Sequence, residues 1–489
     1  MIIPKQVKLV IDKLKKSGYD AYIVGGCVRD LLQDKEPKDW DITTNAKPKE
    51  IQKIFPKSFY ENKFLTVTVQ TGAQNPGLKE IEITTYRSEA KYTDKRHPDE
   101  ISFAKTIGED LARRDLTINA IAIDLKLKIK NSKFILIDPF EGQKDLKHKI
   151  IRAVGNPEHR FSEDALRMLR AVRLAMVLDF SIEEKTAQAI KKNASWVQVI
   201  SLERIRDELL KIIMSERAAN GIELLRQLNL LKYIMPELEQ GYGVSQNKHH
   251  IYECYDHNLR SLDYAAKKNF NKYVRLAALF HDIGKPKTKR GKGLDATFYN
   301  HEVIGAKMTN QILVRLKFPK KDVVKITKLV RYHLFYYNVN EVSDSSIRRL
   351  VRYVGPENME ELLQVRMADR IGSGVPKAEP YKLRHLKYII EKVSLDPISV
   401  KMIKVSGNDV MKLLQIQPGP KIGQVLDILL GYVLDDPKKN KKEFLEKEIK
   451  KLGKLSEKEI SSLAQKSKKE KEKLEIKRDE MTKQKYWVT

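Results

Sequence analysis

The spacing of hydrophobic residues along the chain changes at about residue 148. Upstream of this point, short β-branched runs bounded by turn residues predict strands at AYIV, WDITT, FLTVTVQ and IEITTYR. Between them, VRDLLQDK and KPKEIQKIF predict helices, the second with Pro48 in its first turn. Downstream, apolar residues recur every three or four positions in EDALRMLRAVRLAMVL, SLERIRDELLKIIM and GIELLRQLNLLKYI, which predicts successive amphipathic helices. The expected fold class is an α/β head with a small mixed β-sheet, followed by a mostly all-α remainder.

Composition narrows the class of protein. The 489 residues suffice for several domains, and 41% of them are hydrophobic, so the chain is globular overall. No apolar run nears the ~20 residues of a membrane helix, and Cys27 and Cys254 are too few for a disulfide framework. We therefore expect a cytoplasmic protein. The 93 basic and 65 acidic residues leave a net charge of +28, which predicts a nucleic acid partner; a solvated basic surface without a partner is the alternative.

A glycine pair marks the first candidate site in the head. Gly25 and Gly26 stand between a predicted strand and a predicted helix, and Arg29 follows in the first helical turn. Glycines at such a junction let backbone N–H groups approach a phosphate closely. A guanidinium beside them can bind the same phosphate in a fork. The pair alone also fits an ordinary tight turn, so it needs support from neighbouring residues.

Three carboxylates supply that support. Asp39 and Asp41 are two residues apart, so in an extended strand their side chains project from the same face. Glu82 lies on another predicted strand and offers a third carboxylate. Hard oxygen ligands of this kind suit Mg²⁺ together with substrate phosphates. Two such ions can activate an attacking hydroxyl and stabilise a leaving pyrophosphate.

Five motifs occur in the order found in tRNA nucleotidyltransferases: GGCVRD, DWD, RRDLTIN, EDALR and ERIRDE. From about Tyr19 to about Leu230, and more loosely beyond, the chain resembles the bacterial class II CCA-adding enzymes, which belong to the poly(A) polymerase family. The resemblance implies a template-independent enzyme that adds or repairs the 3′-terminal CCA of tRNA. Its expected partners are the tRNA 3′ end, CTP and ATP.

The resemblance also implies roles for single residues. Asp39 and Asp41 would bind Mg²⁺, with Glu82 as the third acidic group. The stretch from Tyr92 to Pro98 looks like the loop that these enzymes need for adding the terminal adenosine. The residues implied to bind nucleotide in the head are Gly25, Gly26, Arg29, Arg114, Asp115 and Asn119.

A series of charged residues predicts where the base is recognised. Asp164, Arg167, Arg170 and Arg173 recur every three residues and so lie along one side of a helix. Three arginines in line are costly without an anion, so we expect phosphate or a base edge there; an ordinary Asp164–Arg167 helix pair is the alternative. The resemblance implies that Asp164 and Arg167 read the Watson–Crick edge of CTP or ATP. The carboxylate would accept from their exocyclic amines, where uracil and guanine carry a carbonyl.

The second half of the chain carries the ligand order of HD phosphohydrolases, which it resembles from about residue 250 to 370. The order H…HD…D is formed by His257, His281, Asp282 and Asp369. Imidazole and carboxylate ligands suit a divalent transition metal as well as Mg²⁺. Two further histidines, at positions 301 and 333, fit either additional ligands or phosphate-binding groups. A degenerate helical remnant without hydrolase activity is the alternative.

These features divide the chain into five regions. We expect a nucleotidyltransferase head at 1–147, a helical neck with the nucleotide-recognition helix at 148–240, and an HD phosphohydrolase-like domain at 241–375. A helical tRNA-binding tail follows at 376–434 and a Lys/Glu-rich extension at 435–489. The extension reads as a solvated helix or a partly disordered tail, and serves either as an electrostatic arm for RNA or as a solubilising segment.

Two rival functions stay open at this point. The first is a poly(A) polymerase, or an enzyme that adds only CC or only A. The head lacks the Gly-Arg-Arg-Phe stretch associated with the poly(A) branch, and the intact Tyr92–Pro98 stretch argues against CC-only addition. The second rival is an HD phosphohydrolase with an inactive RNA-binding head, which the undamaged Asp39, Asp41 and Arg114 oppose.

Overall fold

The computed structural model of the chain describes residues 2–61, 66–90, 100–125, 134–247, 251–394, 400 and 403–488. The chain divides into two compact units. The first consists of Met1–Leu334 with Glu360–Pro376, and the second of Phe335–Met359 with Lys377–Thr489. The mixed sheet followed by a mostly helical remainder confirms the expected fold class. None of the described helices combines the length and the apolar character that a bilayer span needs.

The head is built on a seven-stranded mixed sheet. Its strands are β1 (Ala21–Val24), β2 (Asp41–Thr44), β3 (Ser58–Glu61), β4 (Thr66–Gln70), β5 (Glu80–Thr85), β8 (Ala122–Asp124) and β9 (Ile135–Ile137), while β6 (Arg87–Ala90) and β7 (Glu100–Phe103) form a separate hairpin. The strand order is β3-β4-β5-β2-β1-β8-β9. Among the described strands of this sheet, the β2–β5 pair alone is parallel, and its register places Asp41 opposite Glu82. The sheet thereby brings two of the predicted carboxylates together.

Helices cover this sheet. They are α1 (Lys5–Lys16), α2 (Gly26–Leu32), α3 (Pro48–Ile54), α4 (Pro76–Lys79), α5 (Ile107–Ala112) and α6 (Gly142–His148). Pro48 occupies the first helical position of α3, as predicted, because that position needs no hydrogen-bonded N–H. Apolar residues of α1, including Val7, Ile11 and Leu14, pack on one face of the sheet in a core of fully buried side chains. Buried and exposed residues alternate at the start of β5, which leaves Glu82 outside the core, and β2 begins at the partly buried Asp41.

The neck follows the head within the first unit. Its helices are α7 (Pro157–Glu163), α8 (Leu166–Leu178), α9 (Glu184–Asn193), α10 (Leu202–Ile213), α11 (Ala218–Gln227), α12 (Leu231–Ile234) and α13 (Pro236–Glu239). Two short strands, β10 (Ile150–Ile151) before α7 and β11 (Ser181–Ile182) after α8, pair in parallel. Helix α8 packs against α10, which places the charged positions of α8 next to those of α10.

Six further helices complete the first unit. They are α14 (Cys254–Lys267), α15 (Lys272–Phe280), α16 (Lys285–Thr288), α17 (His301–Arg315), α18 (Lys320–Tyr332) and α20 (Met359–Gly372). Helix α15 contacts both α14 and α18, and α17 packs on α18. The buried run of α15 from Val274 to Phe280, which is apolar except for Arg275, therefore ends inside the helical layer. His281 and Asp282 follow directly at that buried end.

The second unit is helical in its described part. It contains α19 (Asp344–Val354), α21 (Tyr381–Ser394), α22 (Gly407–Leu414), α23 (Pro420–Asp435), α24 (Lys442–Leu452) and α25 (Glu457–Lys485). The Lys/Glu-rich extension forms α24 and α25, and one face of each is buried. Leu445, Ile449 and Ile460 share a core with Val425 and Leu429 of α23. The extension is helical, as one of the two expectations had it, but one face is buried rather than solvated because the few apolar residues recur at helical spacing.

This packing predicts the outcome of shortening the chain. Removing residues 435–489 should abolish the cooperative unfolding of the second unit, because each large apolar side chain lost from a core removes about 1.5–3 kcal/mol of burial. Thermal unfolding followed by circular dichroism measures the loss. Replacing the exposed Lys466, Lys469 and Lys473 by glutamine is the matched control and should leave the transition unchanged. An unchanged transition after truncation would contradict the packing role.

Candidate active site and metal centre

Gly25 follows strand β1 directly, at a position where the backbone conformation favours glycine. Gly25 has φ +82°, in the left-handed region that side chains rarely adopt. A Cβ atom at this position would lie 3.1 Å from Nη1 of Arg114 and 3.2 Å from Oδ2 of Asp41. A predicted phosphate-binding glycine, a predicted triphosphate ligand and a predicted metal ligand thus meet at one point, although 89 residues of sequence separate the two outer ones.

The three carboxylates gather around this point. Asp41 begins β2 and is paired in register with Glu82 of β5. Asp39 lies two residues earlier, close enough for its charge to act on Asp41. Burial raises the pKa of Asp41 to about 6, and the negative charges of Glu82 and Asp39 add to this effect while Arg114 opposes it. Clustered, partly desolvated carboxylates favour a bound divalent cation, because the cation removes their mutual repulsion.

Arg29 is held at the mouth of the same site. Its Nη1 donates to Oδ1 of Asn119 at 2.9 Å, and its Nη2 donates to Oδ1 of Asp30 at 2.7 Å. The guanidinium also lies over Gly26, where a Cβ would be 3.5 Å from Nη2. The structure therefore brings Gly26, Arg29 and Asn119 together.

A buried aspartate that the sequence analysis missed holds the arginines of the RRDLTIN motif. Asp110 is fully buried; its Oδ1 lies 2.9 Å from Nη2 of Arg113 and its Oδ2 lies 3.6 Å from Nη2 of Arg114. Thr43 of β2 donates to the same carboxylate at 3.3 Å. Burial raises the pKa of Asp110, but Arg113 and Arg114 outweigh burial and lower it. The i, i+3 and i, i+4 spacing to the two arginines is the signal that could have found it.

Asp115 connects the head to the neck. It is buried, and its Oδ1 accepts from Nδ2 of Asn119 at 3.3 Å while its Oδ2 accepts from Nε of Arg170 at 2.7 Å. Burial by itself raises the pKa of Asp115, but Arg170 outweighs burial and holds that pKa below the ordinary range. Asp115 therefore stays ionised and fixes Arg170 of α8 against the head.

The other predicted neck residues also have partners from the chain. Asp164 accepts from the Leu166 N–H at 3.0 Å through Oδ1 and pairs with Nη2 of Arg204 at 2.7 Å through Oδ2. Arg173 lies 2.6 Å from Glu208, a buried residue of α10. Arg204 and Glu208 lie in the ERIRDE motif, and the sequence analysis quoted that motif without giving these residues a role.

The three arginines of α8 form ion pairs within the chain. Arg167 pairs with Glu163 and donates to the carbonyl of Arg113 at 3.1 Å. Arg170 and Arg173 pair with carboxylates from the head and from α10. The fold supplies counter-charges to these arginines, so their spacing by itself does not require a phosphate or a base; their contact with a nucleotide stays a prediction. What the pairing does provide is a fixed geometry for the guanidinium groups.

The four residues of the H…HD…D order meet in the first unit. Nε2 of His257 lies 2.8 Å from Nε2 of His281, 3.1 Å from Oδ2 of Asp282 and 3.4 Å from Oδ1 of Asp369. All four side chains are buried. They come from α14, the end of α15 and α20, and the first and last of them are 112 residues apart in the sequence. Close imidazole and carboxylate groups of this kind form a candidate metal centre.

Charges surround this centre. Lys285 lies 2.5 Å from Oδ2 of Asp282, and Arg366 lies 2.6 Å from Oδ2 of Asp369. Burial raises the pKa of Asp282, but Lys285 and His281 outweigh burial and hold that pKa well below its ordinary value. Burial lowers the pKa of His281, but Asp282 and Asp369 outweigh burial and raise it to about 10. Burial also raises the pKa of Asp369, but His257, His281 and Arg366 outweigh burial and lower it well below its ordinary value. Both carboxylates are therefore ionised and available as ligands.

A cavity of about 770 Å³ opens on the metal centre. Its lining includes Asp282, His301, His333 and Asp369. The sequence analysis missed the other polar residues of this wall, which are Asn247, Lys285, Thr297, Tyr299, Asn300, Glu302, Arg366, Arg370 and Ser373. Three cationic side chains beside a metal centre are suited to a phosphorylated ligand. The predicted loop at Tyr92–Pro98 lies outside the described residues.

Three family models match the chain. They are the Poly A polymerase head domain at residues 21–152, the Probable RNA and SrmB- binding site of polymerase A at 179–241, and the HD domain at 254–372. These matched stretches contain the head site, helix α10 and the candidate metal centre, respectively.

Whole-length relatives agree with these matches. The chain is 32% identical to the CCA-adding enzyme of Ligilactobacillus salivarius, over 91% of this chain and 98% of that protein. It is 30% identical to the CCA-adding enzyme of Enterococcus faecalis, over 90% and 94% of the two chains. Among solved structures it is similar to the CCA-adding enzyme of Bacillus stearothermophilus in complex with CTP, with a TM-score of 0.59, 28% identity and coverage of 91% and 97%.

Proposed function

This chain belongs to the family of CCA-adding enzymes, and we propose that Asp39, Asp41 and Glu82 carry its nucleotidyl transfer. The protein is a template-independent nucleotidyltransferase that completes the 3′-terminal CCA of tRNA from CTP and ATP. In each addition the 3′-hydroxyl oxygen attacks the α-phosphorus, the bond to pyrophosphate breaks, and the hydroxyl proton is released. The observation that carries the assignment is the meeting of Asp41, Glu82, Gly25 and Arg114 at one end of the sheet.

The donor set fits Mg²⁺, since three carboxylates converge and burial and mutual repulsion raise the pKa of Asp41. Asp39 and Asp41 would hold the ions; when bound, Mg²⁺ supplies positive charge to the attacking and leaving oxygens. Arg29 and Arg114 would bind the triphosphate beside the backbone of Gly26. Asp110 keeps Arg114 in place through its ion pair, so the cation stays aimed at the leaving group.

Base selection is proposed for Asp164 and Arg167. Each oxygen of the Asp164 carboxylate accepts one bond within the chain, and a carboxylate oxygen has a second lone pair for the exocyclic amine of cytosine or adenine. Uracil and guanine would place a carbonyl against that oxygen and leave both groups unpaired, which such sites reject strongly. The chain, rather than a nucleic acid template, would thus present the complementary edge.

A direct assay tests the function. The protein is incubated with Mg²⁺, labelled CTP or ATP, and tRNA transcripts that end at the discriminator base, at C or at CC. We expect CMP on the first two transcripts and AMP on the third, with addition stopping at CCA. No incorporation on any transcript would refute the transferase assignment, and long adenosine tails would favour the poly(A) polymerase rival.

The Asp41 pKa of about 6 predicts how Mg²⁺ binding depends on pH. Below pH 6 protons compete with the ion for this carboxylate, so the apparent Mg²⁺ affinity should fall by up to about tenfold per pH unit. Above pH 7 the carboxylate is ionised and the affinity should be constant. Titrating Mg²⁺ against the rate of CMP addition from pH 5 to 8 measures this. An affinity that stays constant down to pH 5 would contradict the proposed ligand role of Asp41.

Arg204 provides a test of the base-recognition proposal. Arg204→Ala removes the cation that holds Oδ2 of Asp164, so kcat/KM for CTP and ATP should fall about 10- to 100-fold, the equivalent of 1.4–2.7 kcal/mol. Discrimination against UTP should weaken as well. Lys185→Ala, an exposed change on α9, is the control and should preserve the CTP/UTP ratio. An unchanged ratio for Arg204→Ala would argue against a positioned Asp164.

A second function is proposed for the metal centre, namely phosphoester hydrolysis. His257, His281, Asp282 and Asp369 would hold a divalent ion, which when bound lowers the pKa of water and polarises the ester. Water would add to phosphorus, the ester P–O bond would break, and the alcohol would leave with a proton. The observation that supports this function is the cavity of about 770 Å³ beside these ligands, which is lined by Lys285, Arg366 and Arg370.

The two sites can be tested separately. With Mn²⁺ or Ni²⁺ present, hydrolysis of 2′,3′-cyclic nucleotides and p-nitrophenyl phosphate should be measurable and should be lost in Asp369→Ala. The same variant should keep CMP addition. Asp39→Ala combined with Asp41→Ala should show the reverse pattern. Absence of hydrolysis with every metal would refute the second function and leave the first unaffected.

We further propose that the five regions given above act as the functional divisions of the chain, with the recognition helix at α8. The two cysteines are free and buried, which supports a reducing cytoplasmic compartment for this tRNA-directed enzyme.

A further inference from the structure

A continuous series of hydrogen bonds connects Arg29 of the head with Arg170 of the neck. Nη1 of Arg29 donates to Oδ1 of Asn119 at 2.9 Å. Nδ2 of Asn119 donates to Oδ1 of Asp115 at 3.3 Å, and Oδ2 of Asp115 accepts from Nε of Arg170 at 2.7 Å. The two arginines lie on α2 and α8, 141 residues apart in the sequence. The series therefore joins the part of the head proposed to bind the triphosphate to the helix that follows the proposed base-reading residue Asp164.

The residue in the middle of the series needs both a donor and an acceptor. A guanidinium only donates and an ionised carboxylate only accepts, so an amide between Arg29 and Asp115 satisfies both neighbours. The same requirement fixes the orientation of the Asn119 amide. The backbone carbonyl of Asn119 also accepts from Nη1 of Arg114 at 3.4 Å. Asn119 thus contacts both of the arginines that are proposed to bind the triphosphate.

The carboxylate of Asp115 is fully used within the chain. Its Oδ1 accepts from the Leu116 N–H at 2.9 Å as well as from Asn119. Its Oδ2 lies 2.7 Å from Nε and 2.6 Å from Nη2 of Arg170. A carboxylate offers about four lone-pair positions, and these four contacts occupy them. Asp115 and Asn119 are both buried, so the pair is suited to holding other side chains in place.

We propose that Asp115 and Asn119 are positioning residues that keep the triphosphate-binding arginines aligned with the base-recognition helix α8. Neither side chain would touch the base, yet both would determine how well the enzyme selects it. A nucleotide held at both ends reacts only when its base and its α-phosphorus are placed together, so lost alignment lowers the rate with the correct nucleotide and weakens rejection of the wrong one. The proposal rests on the nucleotidyl transfer proposed above. It gives the two residues an indirect role in place of the direct nucleotide contact that the resemblance implies.

Exchanging the two residues tests the proposal. Asn119→Asp sets a second carboxylate against Asp115, and Asp115→Asn turns an amide donor toward Arg170 or Asn119, so each should lower kcat/KM for CTP by about 10- to 100-fold. The preference for CTP over UTP should fall with it. Combining both changes restores the alternation of donors and acceptors and should return kcat/KM to within about tenfold of the parent, with the preference regained. Single-turnover CMP addition to a tRNA transcript ending in C measures these values. Asn220→Asp, an exposed change on α11, is the control and should alter neither value by more than about twofold.

Two results of this exchange would overturn the proposal. One is that the two single effects on kcat/KM multiply in the double variant, which means that the residues act separately. The other is a preference for CTP over dCTP that falls in the single variants and is not regained in the double variant, which indicates direct contact with the sugar. A parent chain that adds no nucleotide to any transcript refutes the nucleotidyl transfer itself, and the alignment with it.

Inhibition by pyrophosphate decides the question if a buried variant does not fold. Pyrophosphate carries no base, so Arg170→Gln should weaken its binding only through the contacts that lead from Asp115 to Arg29. We expect the inhibition constant of pyrophosphate to rise about fivefold or more. Arg173→Gln removes the same charge about one turn further along α8. It is the matched control and should change the constant by less than about twofold. An inhibition constant that Arg170→Gln leaves equal to that of the parent would overturn the proposal.

Discussion

Asp41→Asn is expected to lower the rate of CMP and AMP addition by about 10³-fold or more while the protein stays folded. The proposed reason is that Asp41 is a metal ligand at the reacting phosphorus, where several kcal/mol of charge stabilisation convert into that factor. Single-turnover addition to a tRNA transcript ending in C or CC measures the rate. Glu80→Gln is the matched control: Glu80 lies on β5, exposed, two residues before Glu82, and its loss should cost less than about threefold.

The stability of the same variant separates a catalytic role from a structural one. The folded-state pKa of Asp41 is raised to about 6 from 3.8, so in the metal-free protein its ionisation costs stability as pH rises through this range. Removing the charge should therefore leave the melting temperature at pH 7.5 unchanged or slightly higher. A variant that is both inactive and several degrees less stable would point to a structural role, and one that keeps its activity would refute the metal assignment.

Arg275→Met is expected to be among the most destabilising substitutions in the first unit, at about 3–5 kcal/mol of unfolding free energy. Arg275 is 1% exposed and makes five hydrogen bonds. Nε donates to the carbonyl of Phe270 at 2.8 Å; Nη1 donates to those of Ile213 and Ser215 at 3.0 and 2.8 Å. Nη2 donates to the carbonyl of Ala266 and to the Asn269 side chain. The guanidinium thus joins the end of α10 to the end of α14.

Methionine fills similar volume but leaves these buried acceptors without donors, and each buried unpaired group costs about 1–3 kcal/mol. Arg275→Lys should be nearly as damaging, because one ammonium cannot reach acceptors arranged around a planar fork. Urea unfolding measures both. Arg217→Met is the control, since Arg217 makes a largely exposed ion pair with Asp179 and its loss should cost less than about 1 kcal/mol. A cost under 1 kcal/mol for Arg275→Met would contradict the role of this residue as a link between the neck and the metal-centre region.

Local patterns predicted the elements well, and the reason is that they depend on near neighbours. The strands at Ala21, Asp41 and Glu80 and the helix that opens at Pro48 follow from β-branched runs and from the fixed φ of proline. The change to helices after residue 148 follows from hydrophobic periodicity. The same local reasoning predicted only the exposed face of the C-terminal extension. Its charge indicated a solvated segment, whereas Leu445 and Ile449 on the other face are buried in a core.

Ion pairing could not be predicted in this way. The spacing of Arg167, Arg170 and Arg173 indicated one side of a helix, and that side was expected to meet a nucleotide. Their actual partners include Asp115 and Glu208, 55 residues before Arg170 and 35 residues after Arg173. A single sequence contains no periodicity at such separations, so the partner of a charge is known only once the elements are packed.

By itself the sequence determined the chemistry that this protein can carry: three carboxylates, a glycine pair and arginines for a nucleotide, and histidines and aspartates for a metal. It also determined the order of strands and helices along the chain, because strands and helices both depend on residues a few positions apart. Only the tertiary structure decided which of these groups meet. The β2–β5 register places Asp41 beside Glu82, and the packing of α14, α15 and α20 brings His257, His281 and Asp369 to Asp282. These contacts depend on strand register and on helix packing between residues that are far apart in the sequence, and local sequence patterns do not encode either.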